Sequence, residues 1–363
     1  MGFPEFGEGT PKILFFSRGR GRGHAIPDME IARELEILGG GIQVRLVSYG
    51  TGARTLAAHQ FPHIDIGLPD LNPINDTIVL AGKLIDWLDP DLVVAHEEFM
   101  ALPAAKIFEK PAVLITDWFT DPGSYAMSTL KFADRIVFLD EPGIYPEPEG
   151  LNRRVDYVGP VIREFRYSRD DRGVAREELR IARDAFVVAV LPGSWREADA
   201  PVLDLVLAAF DLLEEPRRHL IWVAGEDAES IRARTASRTD VRIVDYEPEI
   251  SRIMVAADVA VTKGTRKTLF ELEALGVPSV ALPTGRNPVD SHRLERFALN
   301  RTLEPTASAA GLCDALRRKP EPRAPRLPRK AAAEAARIIQ RFLPGDTSYR
   351  PAPAARVDSE TNL

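Results

Sequence analysis

A histidine follows a run of alternating glycines near the beginning of the chain. The segment from Ser17 to Asp28 reads SRGRGRGHAIPD and joins an apolar, strand-like run at 13–16 to a stretch with helical periodicity. Glycine lets the backbone approach a ligand closely, and the N–H groups of a first helical turn attract anions and polar groups. His24 therefore lies at the mouth of a strand-loop-helix unit. Histidine titrates near neutral pH, so this position suits a general base.

The glycine-rich loop has two other interpretations. A dinucleotide-binding loop expects an acidic residue at the end of the next strand, about 20 residues further on. The next strand-like run, 43–50, ends without Asp or Glu, which disfavours a nicotinamide-dependent dehydrogenase. A tight turn whose glycines only allow a helix to pack on a sheet stays open as an alternative. If the loop binds an acceptor or a phosphate, its candidate residues are Gly19, Arg20, Gly21, Arg22 and Gly23.

A second strand-turn-helix pattern follows the apolar run 187–191. The turn contains Gly193 and Ser194, and their N–H groups and the serine hydroxyl could hold a diphosphate. Alternatively, Ser194 and Glu197 form a helix-capping box that needs no ligand. The sequence leaves these two interpretations open.

A third pattern is richer in chemistry. The turn from Lys263 to Lys267 is basic and carries hydroxyl groups where a helix is expected to begin, so a helix dipole and ammonium groups converge there. Glu271 follows in this helix, where its carboxylate could accept hydrogen bonds from both hydroxyls of a ribose. The alternative is a surface glutamate that stabilises the helix dipole by about 0.3–1 kcal/mol.

The acidic motif Asp89-Pro90-Asp91 has the form used by metal-dependent sugar transferases. It precedes the strand-like run 92–95, whereas ligands of open α/β sheets bind beyond the carboxyl ends of strands. We interpret the motif as a turn that begins a strand. In contrast, four residues follow predicted strand ends and are candidate catalytic residues: His24, Glu97, Glu98 and Asp117.

The composition limits the class of protein. The chain has 363 residues, 45% hydrophobic content and a net charge of -7, which fits two cores and disfavours general nucleic-acid binding. Cys313 is the single cysteine, which excludes an internal disulfide and a cysteine-rich metal site. No apolar run reaches membrane-spanning length, and residues 1–10 do not resemble a signal peptide. We expect a cytoplasmic protein, with membrane contact, if any, at the periphery of the inner face.

Strand-like and helix-like segments alternate in two series. This alternation predicts an α/β fold with two doubly wound parallel sheets. The predicted domains are an N-terminal Rossmann-like domain at 1–160, a polar linker at 161–178, a C-terminal Rossmann-like domain at 179–342 and a disordered tail at 343–363.

Several motifs together resemble the GT-B glycosyltransferases of the MurG-like family, glycosyltransferase family 28. Gly19 to Pro27 is similar to the family's first loop, G-G-T-G-G-H-x-x-P, and 159–163 is similar to its interdomain G-N-P-V-R. Gly193 and Ser194 match part of its G-G-S turn. The segment 262–278 aligns with its R-x-G-x-x-T-x-x-E-x-x-x-x-G-x-P signature. The resemblance covers about residues 12–341.

This resemblance implies a GT-B fold whose two domains face each other across a cleft, with the acceptor on the N-terminal side and the donor on the C-terminal side. It implies transfer of a sugar, an N-acetylhexosamine, from a UDP-linked donor such as UDP-GlcNAc, without a cofactor or metal ion. Helix N-termini and basic groups would stabilise the departing diphosphate. The donor-binding residues that it implies are Arg163, Gly193, Ser194, Lys263, Gly264, Thr265, Thr268, Glu271, Asp290 and His292.

The chain also departs from the family pattern. Asp290 and His292 align with the family's D-x-H-Q, but Arg293 stands where the amide that binds the donor sugar is expected. The acceptor side lacks the family's second glycine-rich loop and its H-E-Q turn, so the acceptor stays open among a glycan, a lipid-linked molecule and a small molecule. Alternative functions are a nucleotide-sugar hydrolase or epimerase on the same fold and a non-catalytic nucleotide-sugar-binding subunit.

Overall fold

The computed structural model describes residues 6–7, 9–69, 74–119, 124–151, 154–192, 200–225, 228–283, 294–304, 306–318 and 330–344. The chain divides into two compact units. The N-terminal unit comprises Met1–Val161 together with Lys330–Leu363, and the C-terminal unit comprises Ile162–Arg329.

The N-terminal unit is built on a parallel sheet, with seven strands among the described residues, in the order β3-β2-β1-β4-β5-β6-β7. Its strands are β1 (Lys12–Ser17), β2 (Gln43–Ser48), β3 (His63–Asp65), β4 (Leu92–His96), β5 (Ala112–Thr116), β6 (Arg135–Phe138) and β7 (Val155–Tyr157). Its first five helices are α1 (Ala25–Ile37), α2 (Gly50–Ala58), α3 (Ile74–Leu88), α4 (Ala101–Ile107) and α5 (Tyr125–Thr129). The chain starts in the middle of the sheet and winds outward in both directions, as the alternation predicts.

The C-terminal unit repeats this architecture. Its described strands form a parallel sheet in the order β10-β9-β8-β11-β12-β13. They are β8 (Phe186–Leu191), β9 (Arg218–Val223), β10 (Val241–Val244), β11 (Val259–Thr262), β12 (Ser279–Ala281) and β13 (Asn300–Thr302). Its helices are α6 (Arg172–Glu178), α7 (Ala200–Asp211), α8 (Ala228–Thr235), α9 (Ile250–Ala256), α10 (Arg266–Ala274) and α11 (Ala309–Arg317). The prediction of two doubly wound parallel sheets is confirmed.

Both faces of each sheet are covered by apolar side chains. In the N-terminal unit, Ile13 and Phe15 of β1 point into the core under α1, while Leu14 and Phe16 point into the core under α3 and α4. Strands that are buried on both faces read as continuous apolar runs, which is why the sequence identified them clearly. The sheet therefore holds the carboxyl ends of its central strands rigidly.

The segment 161–178 differs from the predicted linker. It contains α6, and Ala175 of this helix is completely buried in the core of the C-terminal unit. The charges that suggested a solvated segment are paired, since Arg172 and Arg176 both donate hydrogen bonds to Asp258, at 2.5 and 2.8 Å. A composition rich in charge therefore concealed a packed helix.

The end of the chain also differs from the predicted domain plan. A further helix, α12 (Ala331–Gln340), packs against α1 and belongs to the N-terminal unit. Leu343, the first residue of the predicted tail, is buried in the same core. Residues 345–363, where disorder is predicted, lie outside the described part of the chain.

The turn Asp89-Pro90-Asp91 lies where the sequence predicts it, at the amino-terminal edge of the N-terminal sheet. The Asp91 carboxylate accepts a hydrogen bond from the N–H of Lys12, the first residue of β1, at 2.8 Å. The motif therefore fixes two strand beginnings and lies at the edge opposite to His24. In the described parts of the chain, no helix has both the length and the apolar character that crossing a membrane requires.

Candidate active site

The predicted catalytic residues lie along the carboxyl edge of the N-terminal sheet. The neighbouring parallel strands β1, β4 and β5 end there at Ser17, His96 and Thr116. Each predicted catalytic residue comes after one of these strand ends: His24, Glu97, Glu98 and Asp117. This is the edge at which open α/β sheets bind their ligands.

His24 precedes the first residue of α1 and faces Glu97. Its Nε2 lies 2.9 Å from Oε2 of Glu97, and its side chain is 15% exposed. Since an ionised carboxylate only accepts hydrogen bonds, Nε2 carries the proton and Nδ1 is the nitrogen that can accept one. Nδ1 is covered by protein atoms in this structure.

Glu97 collects hydrogen bonds from several elements. Its Oε2 also accepts from Arg18 at 3.3 Å, and its Oε1 accepts from the Thr116 hydroxyl at 3.0 Å and from the Asp117 N–H at 3.4 Å. Burial by itself would raise the pKa of this carboxyl, but the hydrogen bond and electrostatic interaction with His24, together with the nearby His96 and Arg18, hold it well below its ordinary value. Glu97 is therefore a buried, ionised partner for His24.

A second buried pair, Asp28 with His96, lies directly behind the first and was not predicted as a site. Oδ1 of Asp28 is 2.5 Å from Nδ1 of His96, and both side chains are completely buried. The ring of His96 meets that of His24 edge-on, with 4.7 Å between the centroids. One signal was available in the sequence. Asp28 lies two positions after Ile26 and one before Met29, on the face of α1 that packs inward.

Glu98 is buried beside the same edge and is held by Tyr49. The tyrosine hydroxyl donates a hydrogen bond of 3.0 Å to Oε2 of Glu98. Burial raises the pKa of the Glu98 carboxyl to about 7, and the hydrogen bond from Tyr49 offsets only part of this effect. Glu98 and Glu97 are adjacent in sequence but have opposite protonation preferences.

Gly19 occupies a position where a larger residue does not fit. A Cβ atom there would lie 2.4 Å from both the ring and the carbonyl oxygen of Tyr49. The Gly19 carbonyl accepts a hydrogen bond from the Gly52 N–H at 2.9 Å, which joins the loop to α2. The first glycine of the loop therefore has a packing role against Tyr49 and α2.

The rest of the loop is more open. Gly21 has a φ of 77°, in the left-handed region, and no atom would contact a Cβ placed on it. Arg20 and Gly23 are exposed, and Arg22 is half-buried. These residues are accessible to a ligand, so the predicted binding role of the loop stays a prediction.

In the C-terminal unit, the turn between β11 and α10 begins a helix as predicted. Gly264 has a φ of 85°, and its N–H donates to the Thr262 hydroxyl at 3.3 Å. Thr265 precedes the helix with an extended backbone, and its hydroxyl donates to that of Thr268 at 2.9 Å. Lys263 lies half-buried in the same turn, at the carboxyl edge of the sheet.

Glu271 and Arg163 form an ion pair that the sequence did not predict. Nε of Arg163 donates to Oε1 of Glu271 at 2.7 Å, and Nη1 donates to the Pro248 carbonyl at 3.0 Å. Glu271 is buried, with 6% of the residue exposed, so it is not the surface glutamate of the alternative interpretation. The structure thus brings together two predicted donor-binding residues that are far apart in sequence.

The remaining predicted donor-binding residues lie outside the described part of the chain. They are Gly193, Ser194, Asp290 and His292, together with Arg293, which replaces the family amide.

Comparison with known proteins agrees with this architecture. The model of the glycosyltransferase family 28 C-terminal domain matches residues 187–295. A relative from Fusobacterium nucleatum is 22% identical over 308 residues, covering 80% of this chain and 83% of its own. That protein is named UDP-N-acetylglucosamine–N-acetylmuramyl-(pentapeptide) pyrophosphoryl-undecaprenol N-acetylglucosamine transferase.

Two solved structures share the fold along almost the whole chain. MurG from Acinetobacter baumannii superposes with a TM-score of 0.57 at 16% identity, covering 93% of this chain and 97% of its own. The UDP-GlcNAc 2-epimerase from Methanocaldococcus jannaschii superposes with a TM-score of 0.62 at 14% identity, covering 91% and 99%. The family 28 match in the C-terminal unit, the relative along most of the chain and the two parallel sheets support a MurG-like glycosyltransferase of the GT-B fold.

Proposed function

We propose that this enzyme transfers an N-acetylhexosamine from a UDP-linked donor to a hydroxyl group of its acceptor, without a metal ion. The donor nucleotide binds to the C-terminal unit, and the acceptor binds at the carboxyl edge of the N-terminal sheet. The observation that carries the proposal is the contact of 2.9 Å between His24 and the buried, ionised Glu97.

His24 acts as the general base in this proposal. The acceptor oxygen attacks the anomeric carbon, the bond to the β-phosphate oxygen breaks, and its electron pair leaves with UDP. The acceptor proton passes to Nδ1 of His24, while Nε2–H stays donated to Glu97, whose negative charge stabilises the imidazolium. Because Nδ1 is covered, the protein atoms around the His24 ring must shift to admit the acceptor hydroxyl.

The start of α10 supports departure of the diphosphate. Backbone N–H groups at a helix N-terminus and the ammonium group of Lys263 provide positive potential where charge develops on the leaving group. Glu271 lies one turn further along the helix, where the ion pair with Arg163 fixes its carboxylate. Its second oxygen, Oε2, is proposed to bind the ribose hydroxyls.

The assignment of UDP as the nucleotide and of an N-acetylhexosamine as the sugar is supported by the similarity to known proteins. The Fusobacterium relative is named for transfer of N-acetylglucosamine from UDP-N-acetylglucosamine to a lipid-linked muramyl pentapeptide. Arg293 at the position of the family amide argues for a different donor sugar or a different contact to it. We leave the acceptor as a hydroxyl on a glycan, a lipid-linked molecule or a small molecule. A lipid-linked acceptor would require the enzyme to work at the inner face of a membrane.

A second candidate function is hydrolysis or epimerisation of the nucleotide sugar. The structural similarity to a UDP-GlcNAc 2-epimerase favours it, because that fold binds a UDP-sugar without a sugar acceptor. Glu98, whose pKa lies near 7, could take part in proton transfer at neutral pH in such a reaction.

Incubation with radiolabelled nucleotide sugars tests these functions against each other. Transferase activity predicts label in a new product only when an acceptor extract is added, and turnover that a chelator does not reduce. Free labelled sugar without acceptor would indicate a hydrolase, and a labelled epimer would indicate an epimerase. Turnover that is lost to chelator and restored by Mg²⁺ or Mn²⁺ would contradict the metal-independent mechanism.

A further inference from the structure

Three side chains at the carboxyl edge of the N-terminal sheet have the arrangement of metal ligands. His24, His96 and Glu97 each offer one donor atom, and these atoms all lie within 4.8 Å of one another. The cluster is mostly enclosed, since His96 and Glu97 are buried and only 15% of the His24 side chain is exposed. Buried imidazole and carboxylate groups in one place are the ligand set of transition-metal sites.

His96 is prepared as a ligand by Asp28. The Asp28 carboxylate can only accept a hydrogen bond, so it holds the proton of His96 on Nδ1 and leaves a lone pair on Nε2. This Nε2 atom is buried and has no hydrogen-bond partner among the described residues. A carboxylate that orients a ligating histidine in this way is a recurring feature of zinc sites.

We propose that His24, His96 and Glu97 bind a divalent transition-metal ion, with Zn²⁺ as the best fit, and that the bound ion inhibits the enzyme. Two imidazoles and one carboxylate suit Zn²⁺, Co²⁺ or Ni²⁺, whereas Mg²⁺ and Ca²⁺ prefer oxygen ligands. Three protein ligands leave one position of a tetrahedral ion for water. The inhibition rests on the proposed function, because the bound ion occupies the imidazole of His24, the base of the proposed reaction.

The required movement is small. Ligand atoms around a tetrahedral Zn²⁺ lie about 3.4 Å apart, so the widest pair, now within 4.8 Å, must close by about 1.5 Å at most. Nε2 of His24 and Oε2 of Glu97 are already 2.9 Å apart, and the proton of Nε2 moves to Nδ1 or to solvent when the ion binds. His24 follows Gly23 at the end of the glycine-rich loop, which can supply the movement.

Arg18 opposes the binding of a cation. Replacing it should therefore strengthen metal binding, whereas replacing a ligand should weaken it. Nη1 of Arg18 lies 3.3 Å from Oε2 of Glu97, where its positive charge competes with a metal ion. Replacing it by glutamine removes this charge while keeping a polar side chain. Damage to the fold would weaken binding, whereas removal of the competing charge should strengthen it.

Co²⁺ absorbance and calorimetric titration with Zn²⁺ test the site without any sugar donor, so the outcome is independent of the proposed function. The wild type should bind one equivalent of each ion and show visible bands of Co²⁺ with nitrogen and oxygen ligands. His24→Asn and His96→Asn should weaken Zn²⁺ binding by at least about tenfold, and Asp28→Asn by about 10- to 100-fold. Arg18→Gln should strengthen it several-fold. His63→Asn, in β3 of the same unit, should leave it unchanged.

Thermal melting first establishes which variants fold. His96→Asn and Asp28→Asn change buried residues and could prevent folding. The His24 and Arg18 side chains are 15% and 16% exposed, so His24→Asn and Arg18→Gln still test the proposal if the other two variants do not fold. Absence of Co²⁺ bands in the wild type, unchanged Zn²⁺ affinity in His24→Asn, or weaker binding in Arg18→Gln would overturn the proposal. Inhibition of turnover by Zn²⁺ but not by Mg²⁺ is expected in the wild type.

Discussion

Glu97 combines a strained backbone with a buried charge. Its φ of 53° lies in the left-handed region, which costs a residue with a side chain on the order of 1–2 kcal/mol. It directly follows β4, and this backbone turn brings its carboxylate to His24 while Glu98 turns to Tyr49. Strain of this kind persists where the surroundings fix it, which is common at functional sites.

Glu98 predicts a measurable pH dependence of stability. Its pKa is about 7 in the folded protein against 4.5 as the ordinary value, so between these pH values the folded chain holds a proton that the unfolded chain has released. The stabilisation is complete below about pH 4.5 and is lost as the pH rises through 7. Glu98→Gln stays neutral and keeps an acceptor for Tyr49. Relative to this variant, the free energy of unfolding of the wild type should fall by on the order of 2–4 kcal/mol from pH 4.5 to 8.

Urea unfolding of both proteins across this pH range measures the difference, and the other titrating groups cancel in the comparison. Parallel curves for the two proteins would show that Glu98 titrates normally. Glu97 contributes a pH dependence of stability in the opposite direction, because its pKa is lowered in the folded protein. The stabilisation that it provides is lost as the pH falls below about 4.5.

Glu271 predicts a loss of nucleotide affinity. Hydrogen bonds to a charged group contribute about 1.5–3 kcal/mol, so Glu271→Ala should weaken UDP binding by roughly 10- to 100-fold. Glu273→Ala is the matched control, since Glu273 lies on the same helix and accepts a hydrogen bond from the Ala298 N–H. Calorimetric titration with UDP measures both variants. Equal affinity in Glu271→Ala and wild type would remove Glu271 from the site.

At the scale of single residues, the sequence predicted where the site residues lie in the fold better than it predicted which side chains they contact. The placement of His24 and Glu97 after strand ends followed from the apolar runs of β1 and β4, and the structure confirms that placement. The pairing of Arg163 with Glu271 spans 108 positions, and that of Asp28 with His96 spans 68. No local pattern encodes such pairs, because they depend on how strands and helices pack.

Among the elements, the loop between β1 and α1 shows how closely one glycine can be constrained. Gly19→Ala places a methyl group against Tyr49 and should lower the free energy of unfolding by about 1–3 kcal/mol, the usual cost of overpacking. In Gly21→Ala the added methyl group contacts no atom, and the free energy of unfolding should fall by only about 1–2 kcal/mol because of the left-handed φ. Gly173→Ala, in α6, meets no atom either and should stabilise by about 0.4–1 kcal/mol.

Urea unfolding of the three alanine variants checks this order. Gly19→Ala with a stability equal to the wild type would mean that the loop yields easily, and its packing role would be wrong. The helices that follow such loops were well predicted. Helical spacing in the sequence points to five inward positions, of which Ile26, Met29, Ala32 and Leu35 are buried, while Leu38 lies just after α1 and is half-buried.

At the scale of the whole molecule, α12 returns the chain to the N-terminal unit. Its small and apolar face, including Ala335, Ala336 and Ile339, packs against α1. The predicted C-terminal domain at 179–342 included this helix, because adjacency along the chain was the only guide. The destination of a terminal helix depends on which apolar face is left uncovered, and that is a property of the folded units.

Ile339 tests this assignment. It is completely buried, so Ile339→Ala should lower the free energy of unfolding of the N-terminal unit by about 2–5 kcal/mol and leave UDP affinity in the C-terminal unit unchanged. Ile37→Ala is the control, because Ile37 is 74% exposed on α1. Amide hydrogen exchange measures the stability of each of the two units separately. Faster exchange in β8 and β11 rather than in β1 and β4 would place α12 with the other unit.

The central claim is that His24 is the base and that the nucleotide is held elsewhere, which one pair of measurements on His24→Ala tests directly. Loss of a general base lowers turnover by roughly 10²-fold or more, while UDP affinity should stay within about twofold because His24 belongs to the N-terminal unit. His59→Ala, at the end of α2, serves as the control for histidine removal. Turnover close to wild type in His24→Ala, or a fall in UDP affinity as large as the fall in turnover, would contradict the account.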